Sequence, residues 1–386
     1  MQKLNRNLRI MLVMSLLQGM VFYAPIATLY RRAAGLTVFE ITLIESVCMV
    51  VSMGLEVPWG VAAERLGYRK TMVLCCMVYF VSKLVFWRAE SFAGFLLERL
   101  LLAVVLAGMS GVDESILYAS CGEGKAHRAF GWYSALGTAG MLTASALYTL
   151  VIGPDYRMAA LWTAAAYGAA ALLSLGLQEV RRPAARETRA LTDFRACLQK
   201  MWHIRGLFPL ALAGALMGES VHTITVFFSQ LQYTRCGWGD AMMGVAYTIC
   251  TAIGLCGAAS AWCAQHLGRR RMGLVMTGLS DVLCLVLAGT ESGGLSLGCM
   301  AALCLASALY APLSSALQNS LITLESRATA LSVSALMSDS AAALMNVVLG
   351  RAADASLPLA LCVGGGACLM AMALFAYASL RMPRRR

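Results

Sequence analysis

Gly60-Val-Ala-Ala-Glu-Arg-Leu-Gly-Tyr-Arg-Lys70 and Ala261-Trp-Cys-Ala-Gln-His-Leu-Gly-Arg-Arg-Arg271 lie 201 residues apart and align position for position. Each opens on a small residue, carries Leu-Gly at its seventh and eighth positions, and closes on cations. A glycine such as Gly67 or Gly268 turns a chain sharply, because positive φ costs it nothing. Gly60 lets helices approach closely, and Glu64 can face a helix N-terminus or a basic neighbour. One such loop is an ordinary basic connection. Two at a half-chain offset predict a duplicated chain with parallel six-helix halves.

The sequence around these loops is apolar. Of 386 residues, 59% are hydrophobic and only 13% charged, with a mean hydropathy of +0.70. Water-soluble domains carry about 25% charged residues, so the solvent here is lipid, where each backbone polar group must be satisfied internally. The apolar runs are continuous rather than alternating, which selects helices over a barrel. A crossing needs about 20 apolar residues. Candidate spans fall near 8–30, 38–63, 71–88, 92–118, 128–151 and 156–178, then near 207–232, 239–262, 271–290, 294–317, 328–352 and 357–381. Lys3, Arg6 and Arg9 before an apolar run resemble a secretory signal, but the run continues to about Tyr30 and reads as the first span.

Between the two sets lies the one long polar stretch, Glu179 to Arg205. The predicted organisation is therefore an all-α membrane protein of twelve helices: a bundle over 1–178, a linker over 179–206 and a second bundle over 207–386. In the linker, Leu191, Phe194, Leu198 and Trp202 recur at helical spacing and suit a short surface helix. With both termini in the cytoplasm, 23 of the 31 lysines and arginines fall on the cytoplasmic side, as the positive-inside rule demands. The net charge of +11 then reflects topology and contact with anionic membrane lipid, not nucleic acid. This places the chain in a cytoplasmic (inner) membrane. The 14 cysteines show no metal or redox spacing and lie mostly in apolar runs (Cys48, Cys75, Cys250, Cys284, Cys304, Cys368), with Cys236 in an external loop. They read as small packing residues.

The chain resembles the major facilitator superfamily. Its general loop pattern, Gly-x-x-x-Asp-Arg-x-Gly-Arg-Arg/Lys, is met by Gly60, Arg65, Gly67 and Arg69, while Glu64 replaces the aspartate and Tyr68 the first arginine after Gly67. Leu55-Glu56-Val57-Pro58-Trp59-Gly60 and Ser110-Gly111-Val112-Asp113-Glu114-Ser115 resemble further stretches of bacterial members. The resemblance implies two six-helix bundles working by alternating access, with the seventh helix lining a central cavity. It also implies gating duty for Gly60, Glu64, Arg65, Gly67, Arg69, Asp113, Gly268 and Arg269. The Gly-Pro motif of drug/proton antiporters is missing: the fifth span has Gly131, Gly137 and Gly140 but no proline.

Charged groups inside spans cost about 2.5–3.5 kcal/mol each at a helix centre and are functional candidates by default. Glu219 lies halfway along span seven, with His222 and Thr223 three and four residues on, and Gln230 returning to that face three turns later. A carboxylate and an imidazole on one face can exchange a proton; helix–helix hydrogen bonding is the other reading. Arg99 in span four resembles an arginine the family often keeps, and Glu45 lies as deep in span two, so a charge pair is feasible. Asp113, near the cytoplasmic end of span four, suits a salt bridge with Arg65 or Arg69. Asp339 is mid-span in helix eleven, on a small and polar face with Ser332, Ala335 and Asn346, and Asp281 is mid-span in helix nine. Lys83 should snorkel outward. Gln18 shares a face of span one with Ser15 and Phe22. The aromatics Phe22, Tyr23, Phe227 and Phe228 suit either an apolar substrate or packing.

These residues predict a secondary transporter for a small molecule, proton-coupled, with export of an amphipathic or drug-like compound ahead of uptake of a sugar, peptide or organic acid. No Walker loop is present, so ATP does not drive it, and neither cofactor nor metal is called for. An intramembrane enzyme would need paired catalytic residues, and the four histidines (His127, His203, His222, His266) form no ligand set. A sensor that kept the fold would need a receiving domain, for which no long soluble extension is found.

Overall fold

The computed structural model describes residues 2–121, 126–180, 204, 206–322 and 327–381, with side chains described outside 2–5, 57 and 327–334. The predicted surface helix of Leu191, Phe194, Leu198 and Trp202 lies outside the described residues, as does most of the linker. Among the described residues the chain is helical, with no strand. The helices are α1 (Gln2–Gly19), α2 (Ala27–Ala33), α3 (Val38–Leu66), α4 (Tyr68–Arg88), α5 (Phe92–Met109), α6 (Val112–Ser120), α7 (Ala126–Leu147) and α8 (Tyr156–Ser174). They continue as α9 (Leu207–Thr223), α10 (Ser229–Arg235), α11 (Asp240–Gly254), α12 (Ser260–Leu267), α13 (Arg269–Gly289), α14 (Gly293–Leu321), α15 (Arg327–Ala355) and α16 (Leu357–Arg381).

Among the described residues, ten segments are long and apolar enough to cross a membrane. The sixth and eleventh places of the twelve-helix fold are filled by α8 and α15. Helix α8 buries mainly alanine (Ala159, Ala160, Ala164, Ala170, Ala171); small residues bring helix backbones together in lipid. Several spans are interrupted. Span one breaks after Gly19 and resumes through a 3₁₀ turn at Ala24–Ile26. Span four breaks at Gly111, whose φ is +73°. Span seven contains a π turn at Ile224–Phe228.

Contacts divide the chain into two compact units: Met1–Leu36, Val47–Arg186 and Gly239–Thr248 form one, and Thr37–Ser46, Glu187–Trp238 and Ile249–Arg386 the other. In the first unit, α1 packs on α7 where glycines leave no room for a side chain: a Cβ on Gly19 would strike the Gly137 carbonyl, and one on Gly140 the Leu16 carbonyl. Met11, Met14, Met72, Cys76, Ile116 and Leu117 fill the core beneath. Gly60, expected to permit close helix contact, instead meets open space; it sits on the exposed face of α3. In the second unit, Gly273 admits the Phe375 ring between α13 and α16. Six of the thirteen described cysteines are buried as packing residues (Cys48, Cys75, Cys76, Cys284, Cys299 and Cys368), and all thirteen are free thiols.

The repeated loops share one conformation. Gly67 (φ 98°, ψ 146°) precedes α4, and Gly268 (φ 81°, ψ 135°) precedes α13. Each glycine carbonyl accepts the amide four residues on, from Thr71 and Met272, at 3.0 Å. The duplication read in the sequence is thus repeated in backbone geometry.

Candidate functional site

The interruptions of spans one and seven correspond. Adding the 201-residue offset to Ala24–Ile26 gives positions 225–227, inside the π turn of span seven. The same offset carries Gln18 onto Glu219. A pair of broken helices at matching places in two halves marks a membrane carrier's binding region, because freed backbone groups persist only where protein or a cavity satisfies them. π turns inside helices likewise gather at functional sites.

In the second unit, Glu219 is half-buried and accepts a hydrogen bond from Asn346 Nδ2 of α15 at 2.5 Å. The Thr223 hydroxyl donates to Asn346 Oδ1 at 2.7 Å. Thr223 and Asn346 are both buried. His222, one turn on, is exposed with its ring 6.1 Å from that of Phe227. His222 and Glu45 act electrostatically on Glu219. Gln230 does not return to this face; the π turn adds a residue to its turn and shifts the phase, and Gln230 Nε2 donates to the Val226 carbonyl. Asp339 is half-buried on α15, seven residues before Asn346, or about 10 Å along the helix at 1.5 Å per residue. Ser332 lies outside the described side chains.

In the first unit the charged centre is Glu98, which the sequence reading passed over. It is fully buried, with Lys83 Nζ at 3.2 Å, Arg99 Nε at 3.4 Å and Arg31 Nη2 at 4.0 Å. Lys83, expected to snorkel outward, is instead buried and also donates to the Tyr23 hydroxyl at 3.0 Å. Tyr79 and Tyr167 present ring faces to its ammonium at 5.1 and 5.5 Å, while Phe86 and Phe95 lie at 5.7 and 5.9 Å from the Arg31 guanidinium. The signal was available: Lys83 and Glu98 lie seven and eight residues either side of Glu90, in the α4–α5 turn, which sets them at one depth. Arg99 belongs to this unit, whereas Glu45 belongs to the other. Gln18 Nε2 reaches Cys76 Sγ at 3.7 Å, and the backbone carbonyl of Gln18 accepts from the Tyr167 hydroxyl at 2.6 Å.

Phe22, Tyr23, Phe227 and Phe228 are all buried. Tyr23 stacks on Phe86 and Phe22 packs edge-on against Trp162, so these rings serve as packing. Asp281 faces α16, where a Cβ on Gly365 would lie 3.0 Å from its Oδ1.

The sequence profile of the Major Facilitator Superfamily matches residues 10–346. The chain belongs to this superfamily. No curated protein matches it by sequence. Among solved structures, the nucleoside transporter NupG is similar at 13% identity and a TM-score of 0.80, over 98% of this chain and 99% of that one. A bacterial homologue of the human lysosomal transporter Spinster is similar at 15% identity and 0.77, over 100% and 98%. An auto-inhibited peptide transporter of the POT family is similar at 14% and 0.74, over 99% and 97%. These likenesses are of fold. Superfamily membership makes the chain a multi-pass integral membrane protein of a transporter family rather than of an enzyme family.

The superfamily loop motif shows one departure from the sequence reading. Asp113 makes no ion pair with Arg65 or Arg69 among the described residues; its Oδ1 accepts the Glu114 amide at 2.8 Å. The break at Gly111 starts a new helix there, and a carboxylate in a first turn is drawn to that helix's own free amides. Arg69 instead grips the end of span six, donating from Nη2 to the Leu175 carbonyl at 3.3 Å and from its backbone amide to Glu179 at 3.4 Å. Glu64, Arg65 and Arg269 are exposed.

Proposed function

We propose that the protein is a proton-coupled secondary transporter in which Glu219 is the coupling carboxylate. The observation that carries this reading is the Glu219–Asn346 hydrogen bond beside a π turn whose repeat counterpart in span one is also broken. Among the described residues, no lysine or arginine forms a salt bridge with Glu219. Its direct partner is a neutral amide, which tolerates both the charged and the protonated acid. His222 one turn away supplies a second group able to accept a proton. Residues 1–178 and 207–386 act as the rocking bundles, tied through a cytoplasmic linker at 179–206, with both termini cytoplasmic in the inner membrane. The glycine loops at Gly67 and Gly268 and the Arg69 clamp guide the cytoplasmic side. Arg99, Glu45, Asp339 and Gln18 line or tune the pathway.

The solute we favour is amphipathic and exported. Span seven carries few charged groups in a largely apolar helix, and an inward proton gradient drives a solute outward by exchange. Proton-driven uptake of a sugar, peptide or organic acid is the competing direction. Proteoliposomes with a trapped pH dye and a compound library decide between them: export gives lumen alkalinisation or acidification opposite in sign to uptake for a given gradient. Glu219→Gln should retain counter-flow of labelled solute and lose accumulation driven by ΔpH. Undiminished accumulation removes Glu219 from the coupling role.

A further inference from the structure

We infer that a cleft in the first unit, at the end of the bundle opposite the N-terminus, is a second binding site, for an organic cation that carries an apolar or aromatic group. It lies apart from Glu219 and does not depend on the coupling role proposed there.

Three turns of the chain meet at this cleft. Helix α2 ends at Ala33, α4 passes to α5 through the turn that holds Glu90, and α7 reaches α8 through Gly153, Pro154 and Asp155. Gly153, at φ +65°, turns the chain there. Asp155 then caps α8, its Oδ1 accepting the Met158 amide at 2.9 Å. Together the turns enclose a cavity of about 520 Å³, within the range of small-molecule sites.

Two walls of the cavity are aromatic. The rings of Tyr30 and Tyr156 stand 6.0 Å apart, centroid to centroid, with their planes at 45°. Both hydroxyl hydrogens are committed: Tyr30 donates to the Trp87 carbonyl at 3.2 Å, and Tyr156 to Asp240 Oδ2 at 2.9 Å. What the tyrosines offer a ligand is therefore ring. Hydrogen-bonded groups polarise one another, and a phenol that donates to a carboxylate gains electron density in its ring.

The charge in the cavity is acidic on balance. Its charged lining consists of Glu90, Asp155 and Arg157, and Arg157 is taken by an ion pair with Glu90. Asp155 forms no ion pair among the described residues and keeps its second oxygen beyond the helix cap. Asp240 adds another carboxylate behind Tyr156. The neighbouring arginines are engaged elsewhere: Arg31 with Glu98, Arg32 with the Leu36 carbonyl, and Arg88 over the Trp87 ring. A carboxylate beside aromatic faces is the chemistry that recognises an alkylammonium ion. An anion would be repelled by Asp155, and a bare metal ion would gain nothing from the rings. Pro154 and the alanine methyls of the lining accommodate the apolar body of the ligand.

The test uses benzyltrimethylammonium, titrated by calorimetry into the full-length protein in detergent, with benzenesulfonate as the anion of similar size. The cation should bind saturably and the sulfonate should not. Asp155→Asn removes the charge and keeps the cap, since asparagine caps as well as aspartate; it should weaken binding about threefold. Tyr156→Leu should weaken it by a similar factor, and the double variant by about tenfold. Tyr156→Phe, which keeps the ring, should stay within about twofold of the wild type. Glycerophosphocholine carries the same ammonium on a lipid headgroup: displacement of the probe by it assigns the site to lipid, and no displacement to a free solute, the cation site standing in both cases. Absence of saturable binding, equal binding of the sulfonate, or full binding in the double variant overturns the inference. So does binding that is lost in Glu219→Gln and kept in the double variant, which would give the cation to the transport site and leave the coupling reading intact.

Discussion

Glu98 and Glu219 are both carboxylates held at depth in a helix, one in each unit, yet their surroundings differ in kind. Three cations and a sheath of aromatic rings surround Glu98. Protonating it would leave Arg31, Lys83 and Arg99 without their shared counter-charge, at the cost a low-dielectric interior imposes on unpaired ions. Glu219 has an amide at one oxygen and an exposed imidazole one turn away. Neither demands a permanent negative charge. A carboxylate among fixed cations is a strut; a carboxylate among neutral donors is free to change state. What is attached to each strengthens the contrast. Lys83 binds Tyr23, next to the break of span one, and Arg31 follows it on α2. The Glu98 cluster therefore pins both sides of that break, whereas the matching π turn in span seven stands beside a group able to titrate.

The comparison can be broken most forcefully at Glu98. Glu98→Gln removes the shared counter-charge of three cations, two of them buried, and should cost about 3–5 kcal/mol, seen as loss of monodisperse protein and a large drop in thermal midpoint in detergent. Glu219→Gln, which keeps a neutral polar group beside Asn346, should unfold within about 1 kcal/mol of the wild type. Equal destabilisation of the two would erase the distinction drawn between them. A smaller effect is expected at Lys83. In Lys83→Met, Glu98 keeps Arg31 and Arg99, so the loss is that of two hydrogen bonds, about 1–3 kcal/mol. A Lys83→Met protein as unstable as Glu98→Gln would mean that the lysine, not the carboxylate, is the centre of the cluster.

How these two sites were seen in the sequence follows from the same physics. The twelve-helix class was legible because lipid leaves its mark on whole segments, and the duplication because two loops repeat residue by residue. Glu219 stood out as an isolated charge in an apolar run. Glu98 was hidden beside Arg99, its neighbour along the chain, because its other partners Lys83 and Arg31 come from other helices. Lys83 was misread because its reach to the membrane surface was weighed without its partner across the α4–α5 turn. Gly60 was read from the loop motif as a close-packing residue, but which face of α3 is covered is a tertiary fact. The π turn was invisible for a different reason: Ile224-Thr-Val-Phe-Phe228 has ordinary helical composition, and an added residue per turn leaves no compositional trace. The phase error at Gln230 follows from it.

Where the two units agree offers the finest test. Gly67 and Gly268 hold positive φ at the same place in each repeat, each starting a helix with its carbonyl. With ψ near 146° and 135°, both lie in backbone space that is essentially glycine's alone, at about 1–3 kcal/mol for another residue. Gly67→Ala and Gly268→Ala should therefore each lower stability by at least that amount; at Gly268 no contact within 4 Å adds to it, while Gly67 is buried. Gly60→Ala should do the reverse. Its site is helical and open, so the alanine meets nothing and gains about 0.5–1 kcal/mol through lost backbone freedom in the unfolded chain. Thermal midpoints of the three variants in one detergent give the signs directly. If Gly60→Ala destabilised like the other two, the conserved backbone turn would not be what the repeated motif preserves, and helix proximity at Gly60 would return as its purpose.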